Sequence, residues 1–176
     1  MKIDESFDIQ EVKEPRISPK ETRNTIIQSF LEAGFTNQEI AKIITKQLKG
    51  LGYSYKFQYK NKEFLLYEII KDSIKEYHFF DLNEPLKSAE DVGDLDNSIL
   101  IFSKIFNLMY TDLKKGNWKL GVRIKSNPKR NKLYKKIFNK VNKKHNLGLL
   151  IKDKTSDSFV VDIPRPKSFR ESMRLD

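Results

Sequence analysis

The chain opens without a clear period. Over residues 1–17 single apolar residues stand among charges and Pro15, which predicts an arm that contacts other surfaces and contributes no core. Ser18, Pro19 and Glu21 then supply an N-cap, a first-turn proline and a capping-box glutamate ahead of Ile26, Ile27, Phe30 and Leu31, all on one helical face. Gly34 marks the stop. Residues 36–39 repeat the capping box and open a second helix with Ile40, Ala41, Ile43, Ile44 and Leu48 as its apolar positions. The period then changes to two. Tyr53, Tyr55, Phe57 and Tyr59 alternate with Ser54, Lys56, Gln58 and Lys60, as in a half-buried strand. Residues 63–77 fit the strand and helix templates equally well, and the expectation is a hairpin or extended start that turns helical in the late 60s.

Residues 81–97, with Pro85, Gly93 and six acids, predict an acidic linker. Residues 96–98 then cap a helix over 98–114 whose apolar positions, among them Ile99, Phe102, Ile105, Phe106 and Met109, wrap most of its circumference and place it inside a core. Beyond Gly116 and Asn117 the order is strand, helix, strand, strand. Trp118, Leu120, Val122 and Ile124 alternate with Lys119, Gly121, Arg123 and Lys125, so that one face packs and the other is basic. Asn127 and Pro128 start a helix with Leu133, Tyr134, Ile137, Phe138 and Val141 on its inner face. Two short strands close the series around residues 155–158, and a tail from Pro164 is expected to be flexible.

The predicted fold class is therefore α+β. An N-terminal helix-turn-helix-like hairpin with aromatic strands precedes a core helix packed on a βαββ unit. The predicted segments are an arm (1–17), a helical hairpin with strand material (18–80), an acidic linker (81–97), a basic α-βαββ subdomain (98–163) and a tail (164–176). Residues 31–44, LEAGFTNQEIAKII, resemble the opening of the helix-turn-helix of bacterial regulators and recombinases, where a Gly turn precedes a short EIA-type helix. The resemblance implies DNA contact through the second helix, with Gln38, Lys42, Lys46 and Lys49 as its solvent-facing polar positions. It departs from those families after Lys49, where Gly50, Leu51 and Gly52 lead into the aromatic alternation instead of a recognition helix.

Charge sharpens the picture. The 176 residues carry a formal charge of +10, and residues 121–150 hold ten Lys or Arg and no acid, so this block equals the whole net charge. Over residues 113–152 there are fourteen cations and again no acid. Such one-signed packing points to a polyanionic partner. Lys predominates over Arg, which suits attraction to a phosphate backbone more than bidentate reading of bases. The residues expected to contact nucleic acid are Lys119, Arg123, Lys125, Lys129, Arg130, Lys132, Lys135, Lys136, Lys140, Lys143 and Lys144, with Gln38, Lys42 and Lys46 on the second helix.

Candidate chemistry is sparse. There is no cysteine, which removes disulfides, thiolate nucleophiles and Cys-based zinc sites. His78 and His145 are isolated in sequence, and no Gly-rich phosphate loop or Ser-His-Asp candidate is present. Glu90, Asp91, Asp94 and Asp96 lack EF-hand spacing and predict a solvated linker, or an acidic mimic that screens the basic block, before a metal site. Tyr53, Tyr55, Phe57 and Tyr59 predict core filling before a base-stacking platform. The start has no secretory pattern and no apolar run is long enough to span a bilayer, so a cytoplasmic protein of a reducing interior is expected. The sequence thus predicts a non-enzymatic nucleic-acid-binding protein, DNA before RNA, with no catalytic, cofactor or metal site and no membrane partner. It would serve regulation, replication or partition of a mobile element such as a plasmid or phage, as in transcription control. The alternatives are a subunit or inhibitor docking on a nucleoprotein machine through its two arms, and an RNA-binding protein. A homodimer is admitted on the habit of small regulators.

Overall fold

The computed structural model describes residues 11–59, 61–85 and 95–164, with only the backbone of Tyr59 and of residues 95–101. Among the described residues four helices and six strands make a mixed α+β fold, and the chain divides into two compact units at residues 118 and 119. The linker acids Glu90, Asp91 and Asp94, the side chain of Asp96 and the tail from residue 165 lie outside the described residues.

The first unit begins with α1 (Pro19–Glu32) and α2 (Asn37–Gln47). Both capping boxes form as the sequence dictates. Ser18 Oγ accepts the Glu21 amide and Thr36 Oγ1 accepts the Glu39 amide, while each glutamate reaches back to its cap. Gly34 takes φ +91° between the helices, the left-handed turn that glycine adopts without strain. Where a helix-turn-helix would continue into a recognition helix, the chain enters β1 (Leu51–Tyr59). β2 (Lys62–Lys71) and β3 (Ile74–Asp81) follow as an antiparallel meander.

The expected helix from the late 60s is corrected here: residues 62–71 and 74–81 are both strands. Asp72 and Ser73 take φ of 51° and 59°, and Lys71 faces Ile74 across them, so a two-residue turn with both centres left-handed reverses the chain. The ambiguous period has a physical cause. Residues 64–69 are all buried, because β2 is the middle strand and helices cover both of its faces. Leu65, Tyr67 and Ile69 pack with Ile26, Phe30, Ile40 and Ile44 of α1 and α2. Phe64 and Leu66, on the other face, pack with Tyr55, Phe57 and Leu108. A strand buried on both sides reads as a continuous apolar run, and alternation disappears.

Leu108 belongs to α3 (Leu95–Lys114). Two corrections follow. The helix starts at Leu95, so residues 96–98 lie inside it and do not cap it, and Asp81 is the last residue of β3. In addition, α3 falls within the first compact unit, where Leu108 packs with Tyr55, Phe57, Phe64 and Leu66. Its circumferential apolar pattern announces burial without saying against what. The arm is corrected too, since Val12 and Ile17 pack against the two cores of this unit.

The second unit is β4 (Gly121–Lys125), α4 (Pro128–His145), β5 (Leu150–Thr155) and β6 (Ser158–Asp162). β6 pairs antiparallel with both β4 and β5, and it is buried from Ser158 to Val161. α4 lies on this three-stranded layer through Phe138, whose ring meets Phe159 edge-on at 5.7 Å. β4 is shorter than the alternation suggested, starting at Gly121 and not at Trp118.

Candidate nucleic-acid interface

α4 is built from a local start, a packed face and a local stop. Asn127 caps it by accepting the Arg130 amide at 2.9 Å, and Pro128 fits the first turn. Asn131, Tyr134, Ile137, Phe138 and Val141 are buried and hold it to the sheet. Asn146 ends it at φ 51°, and Asn142 clamps the exit by donating to the Leu149 carbonyl and accepting the Leu149 amide, both at 2.9 Å.

On the opposite face Lys129, Lys132, Lys136, Lys140 and Lys143 recur at intervals of three or four residues, and all are exposed. At about 1.5 Å per residue the row extends over about 21 Å. Lys144 is exposed beside it, while Arg130 and Lys135 are half-buried at the flanks. Lys135 is tied down, since its Nζ stands 2.6 Å from Asp153 Oδ1 on β5.

The row works against the helix that carries it. Lys132 and Lys136, Lys136 and Lys140, and Lys140 and Lys144 are like charges four residues apart, each pair costing about 0.2–0.5 kcal/mol. Lys129 and Arg130 sit in the first turn, where the helix dipole disfavours cations, and there is no acid there to offset them. Only Lys143, Lys144 and His145 in the last turn suit the dipole. Helix stability therefore comes from the packed face, and the charge on the outer face needs another cause.

The strand cations do not join this row. Phe159 faces α4, so its neighbour Val160 points to the other side of the sheet. Arg123 and Lys152 stand opposite Val160 in register, and Lys125 stands opposite Ser158, which places them on that far side. The expected set thus divides between two surfaces of one layer. Lys119 is exposed ahead of β4, and Arg123 is half-buried. Gln38, Lys42 and Lys46 are all exposed along α2, in the first unit. Lys152, whose Nζ is 3.7 Å from Asp162 Oδ2, is a cation of this far face that the expected set lacked.

The aromatic alternative narrows. Tyr55 and Phe57 are buried with Phe64, Leu66 and Leu108, out of reach of a nucleobase, whereas Tyr53 departs from the expected core filling, 41% exposed with Arg16 over its ring, and the Tyr59 side chain lies outside the described residues. Burial, with Asp112 nearby, pushes the Tyr55 hydroxyl up to about 12, so it remains protonated at neutral pH. On α4, Tyr134 and Phe138 are likewise inside. Among the described residues no group of three His, Asp or Glu is placed to hold a metal ion, and no helix is long and apolar enough to cross a membrane. No family model, no curated protein and no solved structure matches this chain.

Proposed function

We propose that this protein binds duplex nucleic acid, DNA in the first instance, through the phosphate backbone and without enzymatic turnover. The observation that carries this reading is the outer row of α4: lysines at helical spacing, exposed, and costly to the helix that presents them. Counterion release supplies the compensating free energy when such a row meets phosphates. Its length of about 21 Å matches roughly six base-pair steps of about 3.4 Å. Lysine ammonium groups are point charges without the fork that reads guanine, so the contact positions the protein and does not select sequence. Unpaired strands need aromatic platforms, and the aromatic residues of α4 are spent on its core. α2, with Gln38, Lys42 and Lys46, is a second contact in this reading. The protein serves in the cytoplasm, in regulation, replication or partition of a mobile element.

An anisotropy titration tests this against duplex DNA, single-stranded DNA and duplex RNA at two salt concentrations. If each lysine of the row neutralises one phosphate, log affinity for duplex DNA falls against log salt with a slope of about −4 to −5. Duplex DNA binds more tightly than the single strand of equal length. Affinity indifferent to salt, or a preference for the single strand, contradicts the proposal; tighter binding to duplex RNA keeps the row and changes its partner.

A further inference from the structure

The arm holds an arrangement that polyanion binding does not use. Residues 11–17 cross the first unit as a strap fastened near its ends. Near one end the Val12 amide donates to Thr111 Oγ1 of α3 at 2.8 Å. At the other, Ile17 and Ser54 of β1 exchange both backbone hydrogen bonds, at 2.8 and 3.1 Å. Between them Arg16 lies 3.8 Å over the Tyr53 ring, with Nη2 3.8 Å from Glu68 Oε1.

Glu68 belongs to a buried ionic cluster. Lys75 Nζ is 3.2 Å from Glu68 Oε1 and 3.6 Å from Asp112 Oδ2, and the Tyr77 hydroxyl donates to the same Asp112 oxygen at 3.3 Å. Glu68 and Asp112 are each 2% exposed and Lys75 is 7% exposed. Two carboxylates face one ammonium, and the strap's Arg16 brings the second cation. The bulge in β1 between Leu51 and Ser54 and the bare Cα of Gly52 make the room, since a Cβ there would meet Glu68 Oε2 at 2.8 Å. Residues 11–14 border a half-open cavity of about 180 Å³ lined by Tyr55, Phe57, Leu66 and Leu108 together with Lys104 and Asn107, and Val12 packs against its apolar wall.

We infer that residues 11–17 are a latch seated in a preformed peptide groove between β1 and α3. It opens without unfolding the unit, and the groove then takes in trans an extended peptide with the same Val-x3-Arg-Ile pattern. The chemistry of that occupant is read from the present one. A small aliphatic side chain packs against the apolar wall, an arginine completes the buried charge, and a backbone pair forms at Ser54. Anchorage near the ends beside a half-open cavity makes opening a local event. This inference is independent of the α4 row, and its outcome leaves that row untouched.

Two measurements test it. In the full-length wild-type chain, the Ile17 and Ser54 amides exchange with deuterium at least about 100-fold faster than the amides of Leu66 and Ile69 in β2. Equal rates would mean that the strap opens only with the whole unit, which overturns the inference. In the second, a labelled peptide spanning residues 9–18 is titrated into the full-length Val12→Asp/Arg16→Ala variant, whose own strap is weakened, and into the wild type. The variant binds the peptide at least about tenfold more tightly than the wild type does, and a peptide carrying Arg16→Ala binds at least tenfold more weakly than the native one. A folded variant that binds no better than wild type, or that accepts a scrambled peptide equally, overturns the inference; an unfolded variant leaves the exchange rates to decide.

Discussion

Replacing Lys132, Lys136 and Lys143 by glutamate lowers affinity for duplex DNA about 1000-fold or more in dilute buffer. Backbone binding with a dissociation constant on the order of 10⁻⁵ M corresponds to about 7 kcal/mol, or roughly 1.4 kcal/mol for each of five phosphate contacts. Losing three removes about 4 kcal/mol before repulsion is counted. The salt slope becomes shallower by about 3, one for each contact. These lysines are exposed and belong to the outer row, so the substitutions leave the packed face of α4 intact. The 136–140 pair becomes opposite in sign, whereas 132–136 stays like-charged as two glutamates and a glutamate at position 143 opposes the helix dipole, so urea denaturation should show the variant within about 1 kcal/mol of the parent. Lys135 is the wrong choice for this test, because its pairing with Asp153 confounds loss of binding with loss of a contact to β5. An unchanged salt slope in the triple variant would place the binding surface elsewhere.

Lys75→Met has the largest expected effect on stability, costing about 3–5 kcal/mol in urea denaturation. The substitution fills similar volume but leaves Glu68 and Asp112 buried on β2 and α3 with their shared cation gone. An uncompensated charge in the interior costs far more than an intact pair contributes. Adding Glu68→Gln recovers part of the loss, since it removes one of the stranded charges. Recovery below about 0.5 kcal/mol would show that the two residues do not act as a unit. The cluster ties strand to helix across one face of the sheet. Its loss should therefore also speed exchange at the Asn117 and Trp118 amides, which donate to the Asp112 carbonyl at 2.8 and 3.2 Å.

What the sequence made legible was local. The two capping boxes, the Asn127-Pro128 helix start and the hairpin of residues 150–162 rest on neighbours a few positions apart, and all appear as the residues dictate. The outward row of α4 was legible for the same reason, because its packed face has helical period. Where burial on both sides erased the period, at residues 64–69, inference from pattern failed. The turn at Asp72 and Ser73 hid as well, since its left-handed centres carry none of the glycine that usually advertises them. The place of α3 could not be read, as a helix apolar on most sides is compatible with any core. Glu68, Lys75 and Asp112 meet only through the meander and α3, and nothing in their spacing announces it. Val12, Arg16 and Ile17 were isolated residues in a charged arm, and only tertiary contact gives each its role. The division of the cations between α4 and the far face of the second unit depends on strand register, which a bare run of lysines does not contain.

The central claim is that the outer row of α4 meets phosphate. Acylation rates of individual lysines, read by mass spectrometry with and without duplex DNA, address it most directly. With duplex at about ten times its dissociation constant, Lys129, Lys132, Lys136 and Lys143 should react roughly tenfold more slowly. Lys42 and Lys46 report separately on α2. Rates at the α4 lysines that do not change while duplex is bound would contradict the account.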